Sequence, residues 1–133
     1  MHKNIQGLLI AARDARKSAY APYSGFKVGA AVLCGSGKVY TGCNVENASY
    51  GLSMCAERVA VQKAVSEGER HIKAVAIVTD GDGFARPCGA CLQVIAEFSD
   101  KDNPAEIISG NLNLEYDVFG LGDYLPKPFN LRQ

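Results

Sequence analysis

Apolar side chains recur at helical spacing near the start of the chain, and they predict an amphipathic helix there. The apolar positions are Ile5, Leu8, Leu9, Ala12 and Ala19, and basic residues occupy the other faces. Proline and glycine in the segment 21–25 interrupt the pattern. We therefore expect the helix to end there and the chain to turn.

Two strand-like apolar runs follow, at residues 28–34 and 38–45, and the tripeptide Gly35-Ser36-Gly37 separates them. Short apolar runs joined through glycine and serine predict a β-hairpin. A two-residue turn at Ser36 and Gly37 places Cys34 opposite Val39.

The same register places Cys43 opposite Ala30, so the two cysteines of the hairpin do not face each other. Small buried side chains are then the expected role of Cys34 and Cys43, rather than a disulfide.

The rest of the chain alternates between helical and extended patterns. Helices are predicted at residues 55–67 and 88–98, and strands at residues 73–79, 106–109 and 114–119. The first of these helices carries a stripe of small residues, Ala56, Ala60 and Ala64, which lets it lie close against a sheet. Strands and helices that alternate after a hairpin predict an α/β domain with a mixed sheet. No repeat or linker divides the sequence, so one domain over residues 1–133 is expected.

Composition and charge narrow the class of protein. The 133 residues are 47% hydrophobic and 21% charged, as is ordinary for a globular domain. Lysine plus arginine and aspartate plus glutamate number 14 each, whereas nucleic-acid binding usually needs a basic surplus. The apolar runs are too short for a membrane span, and no signal-peptide core is seen near the N-terminus. We expect no nucleic-acid partner, no membrane partner and a cytoplasmic location.

Three of the five cysteines have a spacing that suits a metal: Cys55 alone, and Cys88 with Cys91 in the segment 87–91. Two thiolates separated by two residues can reach one Zn²⁺ at about 2.3 Å from the first turn of a helix. Redox pairs share this spacing, so the pair alone is only moderately specific.

A fourth ligand would make the site structural rather than catalytic. His2 and His71 are not near these cysteines in the pattern, and Cys34 and Cys43 lie on predicted strands, although both cysteines stay alternatives. Three protein ligands keep an open position for water, as a catalytic zinc requires.

Glu57 lies two residues after Cys55, too close to be a comfortable ligand on the same turn. Its carboxylate can still reach a water molecule at the metal, accept a proton and pass it to a leaving group. A first-turn glutamate is also favoured by the helix dipole alone. The Cys88 and Cys91 pair downstream favours the catalytic interpretation.

Three thiolates around Zn²⁺ leave a negative charge that needs compensation. Cys55 and Cys88 both begin predicted helices, whose N-termini act as partial positive charges. Arg58, three residues after Cys55, can donate a hydrogen bond to sulfur, and Gln93 can do so near the second pair. A solvent-exposed Arg58 is the alternative.

Four ordered motifs closely resemble the small, zinc-dependent cytidine deaminases of pyrimidine salvage, almost from end to end. The motifs are the segments 21–31, 44–48, 55–58 and 87–93. The resemblance implies a three-layer cytidine-deaminase-like α/β domain with a mixed sheet of about five strands flanked by helices. It also implies one zinc per chain on Cys55, Cys88 and Cys91, with Glu57 as the proton carrier.

The resemblance further implies substrate contacts. Phe26 packs against the pyrimidine, Asn44 and Glu46 bind the ribose 3′-hydroxyl, and the Ala56 N–H holds the base carbonyl. Hydrolytic deamination of both cytidine and 2′-deoxycytidine is therefore implied, because both carry a 3′-hydroxyl. Phe129 is implied to enter a neighbouring subunit's site, since family members of this length are generally homotetramers.

Two positions depart from the family pattern. Arg86 stands where serine or threonine is common, but the family uses the backbone carbonyl there, toward the substrate amino group. Leu92 stands where arginine is common, which leaves less positive charge near the thiolates.

Two other functions stay alternatives: deamination of another aminopyrimidine such as blasticidin S, and a structural zinc-binding module. The neutral net charge disfavours a polynucleotide deaminase.

Overall fold

The computed structural model describes residues 4–81, 83–84 and 86–131, so His2 lies outside the described residues. The helices are α1 (Ile5–Ala15), α2 (Ala56–Ser66), α3 (Gly89–Glu97) and α4 (Leu121–Tyr124). The strands are β1 (Val28–Cys34), β2 (Val39–Cys43), β3 (Ile72–Thr79), β4 (Glu106–Gly110) and β5 (Tyr116–Gly120). The short helix α4 was not predicted.

The five strands form one sheet in the order β2-β1-β3-β4-β5. Strand β1 is antiparallel to β2 and to β3, β3 and β4 are parallel, and β4 and β5 are antiparallel. This arrangement confirms the predicted mixed sheet of an α/β fold.

Alternating side chains bury both faces of the sheet. On β3, Val75 and Ile77 pack into the cluster that includes α2 and α3, whereas Ala76 and Val78 pack into the cluster that includes α1. A central strand that is buried on both faces is an apolar run without alternation, as this segment is. The helices therefore cover the sheet in three layers, as the resemblance implies.

Helix α2 lies very close to the sheet at Gly42. A Cβ atom at this position would lie 2.6 Å from the Ala60 nitrogen and 2.7 Å from the Ala56 carbonyl oxygen. Ala56, Ala60 and Ala64 are completely buried, which confirms the predicted role of the stripe of small residues. This close packing fixes the height of the N-terminus of α2 above the sheet.

The register of the β1–β2 hairpin differs by one residue from the prediction. The Cys34 N–H donates to the Lys38 carbonyl at 3.0 Å, and Cys43 lies opposite Gly29 rather than Ala30. The loop has three residues and ends at Gly37, whose φ of 91° is the left-handed conformation typical of a three-residue hairpin loop. Both cysteines are free thiols, as predicted; Cys34 is buried as expected, whereas Cys43 is only half-buried.

One edge of the sheet collects the elements that form the site. Strand β1 begins there, and β2 and β3 end there, since Val28 pairs with Thr79 and Gly29 pairs with Cys43. No helix in the described ranges is long and apolar enough to cross a membrane.

Candidate functional site

The N-termini of two helices converge on one cluster of sulfur atoms. Cys55 is the N-cap of α2, and Cys88 is the N-cap of α3, both with extended backbone. Cys91 lies in the first turn of α3, and its N–H donates to the Cys88 Sγ at 3.4 Å. The N–H groups of the first helical turns have no partner within their own helices, so they place partial positive charge around the sulfurs.

The spacing of the three sulfurs suits a zinc ion. All three Sγ atoms lie within 4.8 Å of one another, and the Sγ atoms of Cys88 and Cys91 are 3.3 Å apart. Tetrahedral zinc with Zn–S bonds of about 2.3 Å separates its sulfurs by about 3.8 Å. Thiolates are soft ligands that favour zinc over magnesium or calcium. The donor set therefore fits zinc.

Two other candidate ligands, His71 and Cys34, lie elsewhere. Within residues 4–81, 83–84 and 86–131, Cys55, Cys88 and Cys91 are the one group of three metal-binding side chains. The His71 carbonyl accepts from the Gly35 N–H at the hairpin turn, and Cys34 is buried in the core.

Hydrogen bonds to the Cys55 sulfur favour its thiolate form. The Cys91 thiol donates to Cys55, and Arg58 adds a hydrogen bond at 3.6 Å, so the pKa of Cys55 falls to about 5 despite burial. The Cys91 thiol donates its proton to the Cys55 sulfur, and it is also buried. Both effects raise the pKa of Cys91 far above its ordinary value. A divalent cation replaces these thiol protons when it binds.

Glu57 is the buried carboxyl group of this site. It is 5% exposed, and burial raises the pKa of Glu57 above its ordinary value; the charge of Cys55 adds to this effect. A carboxyl group with a raised pKa exchanges protons closer to neutral pH, as a general acid–base must. Glu57 and Cys55 line the same cavity, so its carboxyl group can meet a bound substrate.

The cavity has a volume of about 770 Å³ and opens at the sheet edge described above. It brings together most of the residues predicted from the sequence: Phe26, Asn44, Glu46, Cys55, Ala56, Glu57, Arg58, Arg86 and Cys88. This volume lies within the usual range of small-molecule sites, about 300–1,000 Å³, so the cavity can hold a ligand as large as a nucleoside.

Asn44 holds the backbone beside Phe26. Its Oδ1 accepts from the Val28 N–H at 2.9 Å, and its Nδ2 donates to the Phe26 carbonyl at 2.8 Å. An amide nitrogen carries two hydrogens, so one stays available for a ligand. Asn44 therefore both shapes the cavity wall and faces its interior.

Glu46 holds the neighbouring part of the same segment. One carboxylate oxygen accepts from the N–H groups of Tyr23 and Ser24, at 2.9 and 3.1 Å, and the other accepts from the Ser24 hydroxyl. The Ser24 hydroxyl is the main cause that lowers the pKa of Glu46. The carboxylate is therefore ionised at neutral pH, and its second oxygen keeps a free lone pair.

Arg86 fastens the loop before Cys88 to strand β5. Its guanidinium lies 3.4 Å from an Asp117 carboxylate oxygen, and 5.3 and 5.6 Å from the ring centres of Phe119 and Tyr124. Cation–π contacts of this kind add to the ion pair in holding the side chain against β5 and α4. Arg86 also lines the cavity, and a contact of its backbone carbonyl with a substrate stays a prediction.

Phe129 lies outside the cavity of its own chain and is 69% exposed. The Gln93 amide donates to the Phe129 carbonyl at 3.0 Å and accepts from the Phe129 N–H at 3.1 Å. Gln93 thus fixes the backbone of the C-terminal segment, and a contact of Gln93 with the thiolates stays a prediction.

Several cavity residues were not singled out from the sequence. Tyr50, Met54 and Thr79 line the cavity, and Tyr50 is 91% exposed. Thr79 ends a buried strand at the sheet edge, a position that could have pointed to the site, whereas nothing in the pattern marks Tyr50.

Comparison with known proteins gives consistent matches. Residues 2–105 match the family model described as the cytidine and deoxycytidylate deaminase zinc-binding region. The chain is 44% identical over 127 residues to a cytidine deaminase of Sporosarcina psychrophila, covering 96% of this chain and 92% of that protein. It is 47% identical over 124 residues to one of Halalkalibacterium halodurans, covering 93% and 92%.

Solved structures give the same result. The crystal structure of a cytidine deaminase from Burkholderia pseudomallei is similar with a TM-score of 0.87 and 45% identity, covering 96% of this chain and all of that chain. The similarity extends over the whole arrangement of the sheet and helices described above.

Proposed function

Because the chain belongs to the cytidine and deoxycytidylate deaminase family, we propose that it hydrolyses cytidine and 2′-deoxycytidine to uridine and 2′-deoxyuridine, with release of ammonia. The observation that carries this proposal is the buried Glu57 carboxyl group beside three converging sulfur atoms in one cavity. A proton carrier next to a metal site is what hydrolysis of an amino group requires.

Cys55, Cys88 and Cys91 would hold the zinc ion, one per chain. When bound, zinc supplies Lewis acidity, which lowers the pKa of a coordinated water molecule toward neutrality. Arg58 and the two helix N-termini balance the charge of the thiolates. This balance keeps the cysteines deprotonated for the metal.

Glu57 moves the protons of the reaction. It accepts a proton as water adds to C4 of the base, and it delivers that proton to N3. It then carries a second proton from the new hydroxyl group to the amino nitrogen, after which the C4–N bond breaks and ammonia leaves. Water is consumed, and no redox cofactor is needed.

The remaining cavity residues orient the nucleoside. Phe26 packs against the pyrimidine, and the Ala56 N–H, which has no partner within its helix, binds the base carbonyl. Asn44 and Glu46 use their remaining donor and acceptor on the ribose 3′-hydroxyl. The backbone carbonyl of Arg86 accepts from the amino group of the substrate.

We further propose a homotetramer in which Phe129 completes a neighbouring site. The exposure of Phe129 outside its own cavity supports this arrangement. The neutral net charge supports a free nucleoside rather than a polynucleotide as substrate. We propose a role in pyrimidine salvage, as the family resemblance implies, and a cytoplasmic location.

The test is a deamination assay on purified protein, with uridine, ammonia and zinc all measured. Glu57→Gln should keep about one zinc per chain and lose at least about 100-fold in kcat, the scale of a missing general acid–base. Glu67→Gln, which changes an exposed glutamate at the end of the same helix, is the matched control. Full activity of Glu57→Gln would refute the proposal. Parallel kinetics with cytidine and blasticidin S would show which of the two compounds is the substrate.

A further inference from the structure

We propose that Asp80 and Arg16 form a positioning pair that holds Phe26 in place against the pyrimidine ring. The inference rests on the proposed function, because the contact of Phe26 with the base is part of it. Asp80 and Arg16 are absent from the cavity wall, so they act through the chain segment that carries Phe26.

Asp80 forms hydrogen bonds with both backbone groups of Lys27, the residue that follows Phe26. Its Oδ2 accepts from the Lys27 N–H at 3.0 Å, and its own N–H donates to the Lys27 carbonyl at 3.2 Å. Asp80 directly follows β3, so these two hydrogen bonds extend the antiparallel pairing of β1 with β3 by one residue pair. The position of Phe26 is thereby tied to the most deeply buried strand.

Phe26 depends on such ties because it is not held by the core. Its side chain is 46% exposed at the cavity. Its N–H donates to the Ser24 hydroxyl at 3.0 Å, and its carbonyl accepts from Asn44. Asp80 adds its two contacts at the next residue, Lys27, so the backbone is held both at Phe26 and directly after it.

Arg16 fixes the orientation of the Asp80 carboxylate. Its guanidinium donates to Oδ1 at 2.7 Å, which leaves Oδ2 directed at the Lys27 N–H. The side chains of Arg16 and Asp80 are 19% and 31% exposed, so water screens the pair only in part. Hydrogen bonds between charged groups are stronger than neutral ones. Arg16 therefore selects the carboxylate conformation that holds Lys27.

A double-mutant cycle separates positioning from general stabilisation. Asp80→Ala should raise KM for cytidine about tenfold, the scale of one charge-assisted hydrogen bond, and change kcat less than about threefold. Asp80→Asn keeps one acceptor oxygen, for which Lys27 and Arg16 compete, so it should restore the KM only in part. In a Phe26→Ala background, Asp80→Ala should add less than about twofold, because the residue through which it acts is gone.

The controls keep the outcome clear. Asp14→Ala removes an exposed aspartate on α1 and should leave KM unchanged. Arg16→Met should raise KM in the same direction as Asp80→Ala and serves if Asp80→Ala does not fold. Unchanged KM in both variants, or effects of Asp80→Ala and Phe26→Ala that multiply, would overturn the inference.

A measurement without substrate distinguishes this inference from the proposed function. Hydrogen exchange at the Lys27 amide should accelerate at least about tenfold in Asp80→Ala, and much less in Asp80→Asn. If exchange at Lys27 is unaffected, the positioning pair is wrong. If exchange at Lys27 accelerates in Asp80→Ala but the wild-type protein does not deaminate cytidine, the proposed function fails, whereas the contact of Asp80 with Lys27 stands.

Discussion

Arg58 lies one helical turn after Cys55 and donates a hydrogen bond to its sulfur across 3.6 Å. The Nε of Arg58 is buried and has no hydrogen-bond partner among the residues that the structure describes. The guanidinium is therefore directed at the sulfur cluster rather than at solvent, and it lowers the pKa of Cys55 in addition to the larger effect of Cys91.

Arg58→Gln should weaken zinc binding by about 10-fold or more, the usual effect of removing a partner of a metal ligand. The pKa of Cys55 should rise in the metal-free protein, so zinc should be lost at higher pH than from the wild type. Competition with a chelator at several pH values measures this. Lys63→Gln removes an exposed cation from the same helix and should have no effect; equal losses in both variants would argue against a specific contact.

The raised pKa of Glu57 predicts a pH-dependent stability difference. The folded, metal-free protein binds this proton more tightly than the unfolded chain, so stability from the group is complete below its ordinary pKa of 4.5 and falls as pH rises through the raised value. Glu57→Gln removes that loss and should become more stable than wild type by about 1–3 kcal/mol near neutral pH.

Urea unfolding of metal-free protein from about pH 4 to pH 7 measures this difference, to which the charge of Cys55 contributes by raising the pKa of Glu57. Glu67→Gln should show no such trend. A difference between Glu57→Gln and wild type that does not grow with pH would mean that Glu57 is not buried in solution.

Gly42→Ala should displace α2 from the sheet. The added Cβ would lie 2.6 Å from the Ala60 nitrogen, and backbone atoms cannot give way as a flexible side chain can. We expect a loss of about 1–3 kcal/mol in the free energy of unfolding, together with reduced kcat. Gly122→Ala, where a Cβ meets open space, should be neutral. Equal stability of the two variants would contradict the close packing at Gly42.

The proposed sharing of active sites between subunits predicts complementation between two impaired variants. Glu57→Gln lacks the proton carrier but keeps Phe129, and Phe129→Ala lacks the aromatic side chain but keeps Glu57. Co-expressed with different tags and purified through both, mixed oligomers should deaminate cytidine at about one tenth or more of the wild-type rate, since some sites combine intact groups. Activity no higher than that of Phe129→Ala alone would place Phe129 outside the neighbouring site.

Local sequence patterns were sufficient to predict most elements and the sulfur cluster. The apolar run at residues 73–79 predicted strand β3, which starts one residue earlier, at Ile72. The two-residue gap between Cys88 and Cys91 acts within one helical turn, so their proximity needs no tertiary information. The spacing of apolar residues and of cysteines depends only on residues that are near each other in the chain, so both can be identified from the sequence.

Features that depend on backbone conformation or on distant contacts were not predicted. A two-residue type I′ turn would need a positive φ at Ser36 as well as at Gly37, and Ser36 does not adopt one in the structure, so the loop has three residues. Gln93 and Phe129 lie 36 residues apart, and Asp80 and Lys27 lie 53 apart, so only the complete fold brings them together. A glutamine after a cysteine pair and an aspartate in a loop carry no local sign of these roles.

The separation of the three sulfurs along the chain gives the protein an order of maturation. Cys88 and Cys91 come together as soon as one turn of α3 forms, whereas Cys55 joins them only after β3 has been inserted between α2 and α3. The complete ligand set therefore requires α2, β3 and α3 to be packed together, whereas β4, β5 and α4 follow Cys91 in the chain and supply no ligand. A full complement of metal then reports on the assembly of the centre of the domain.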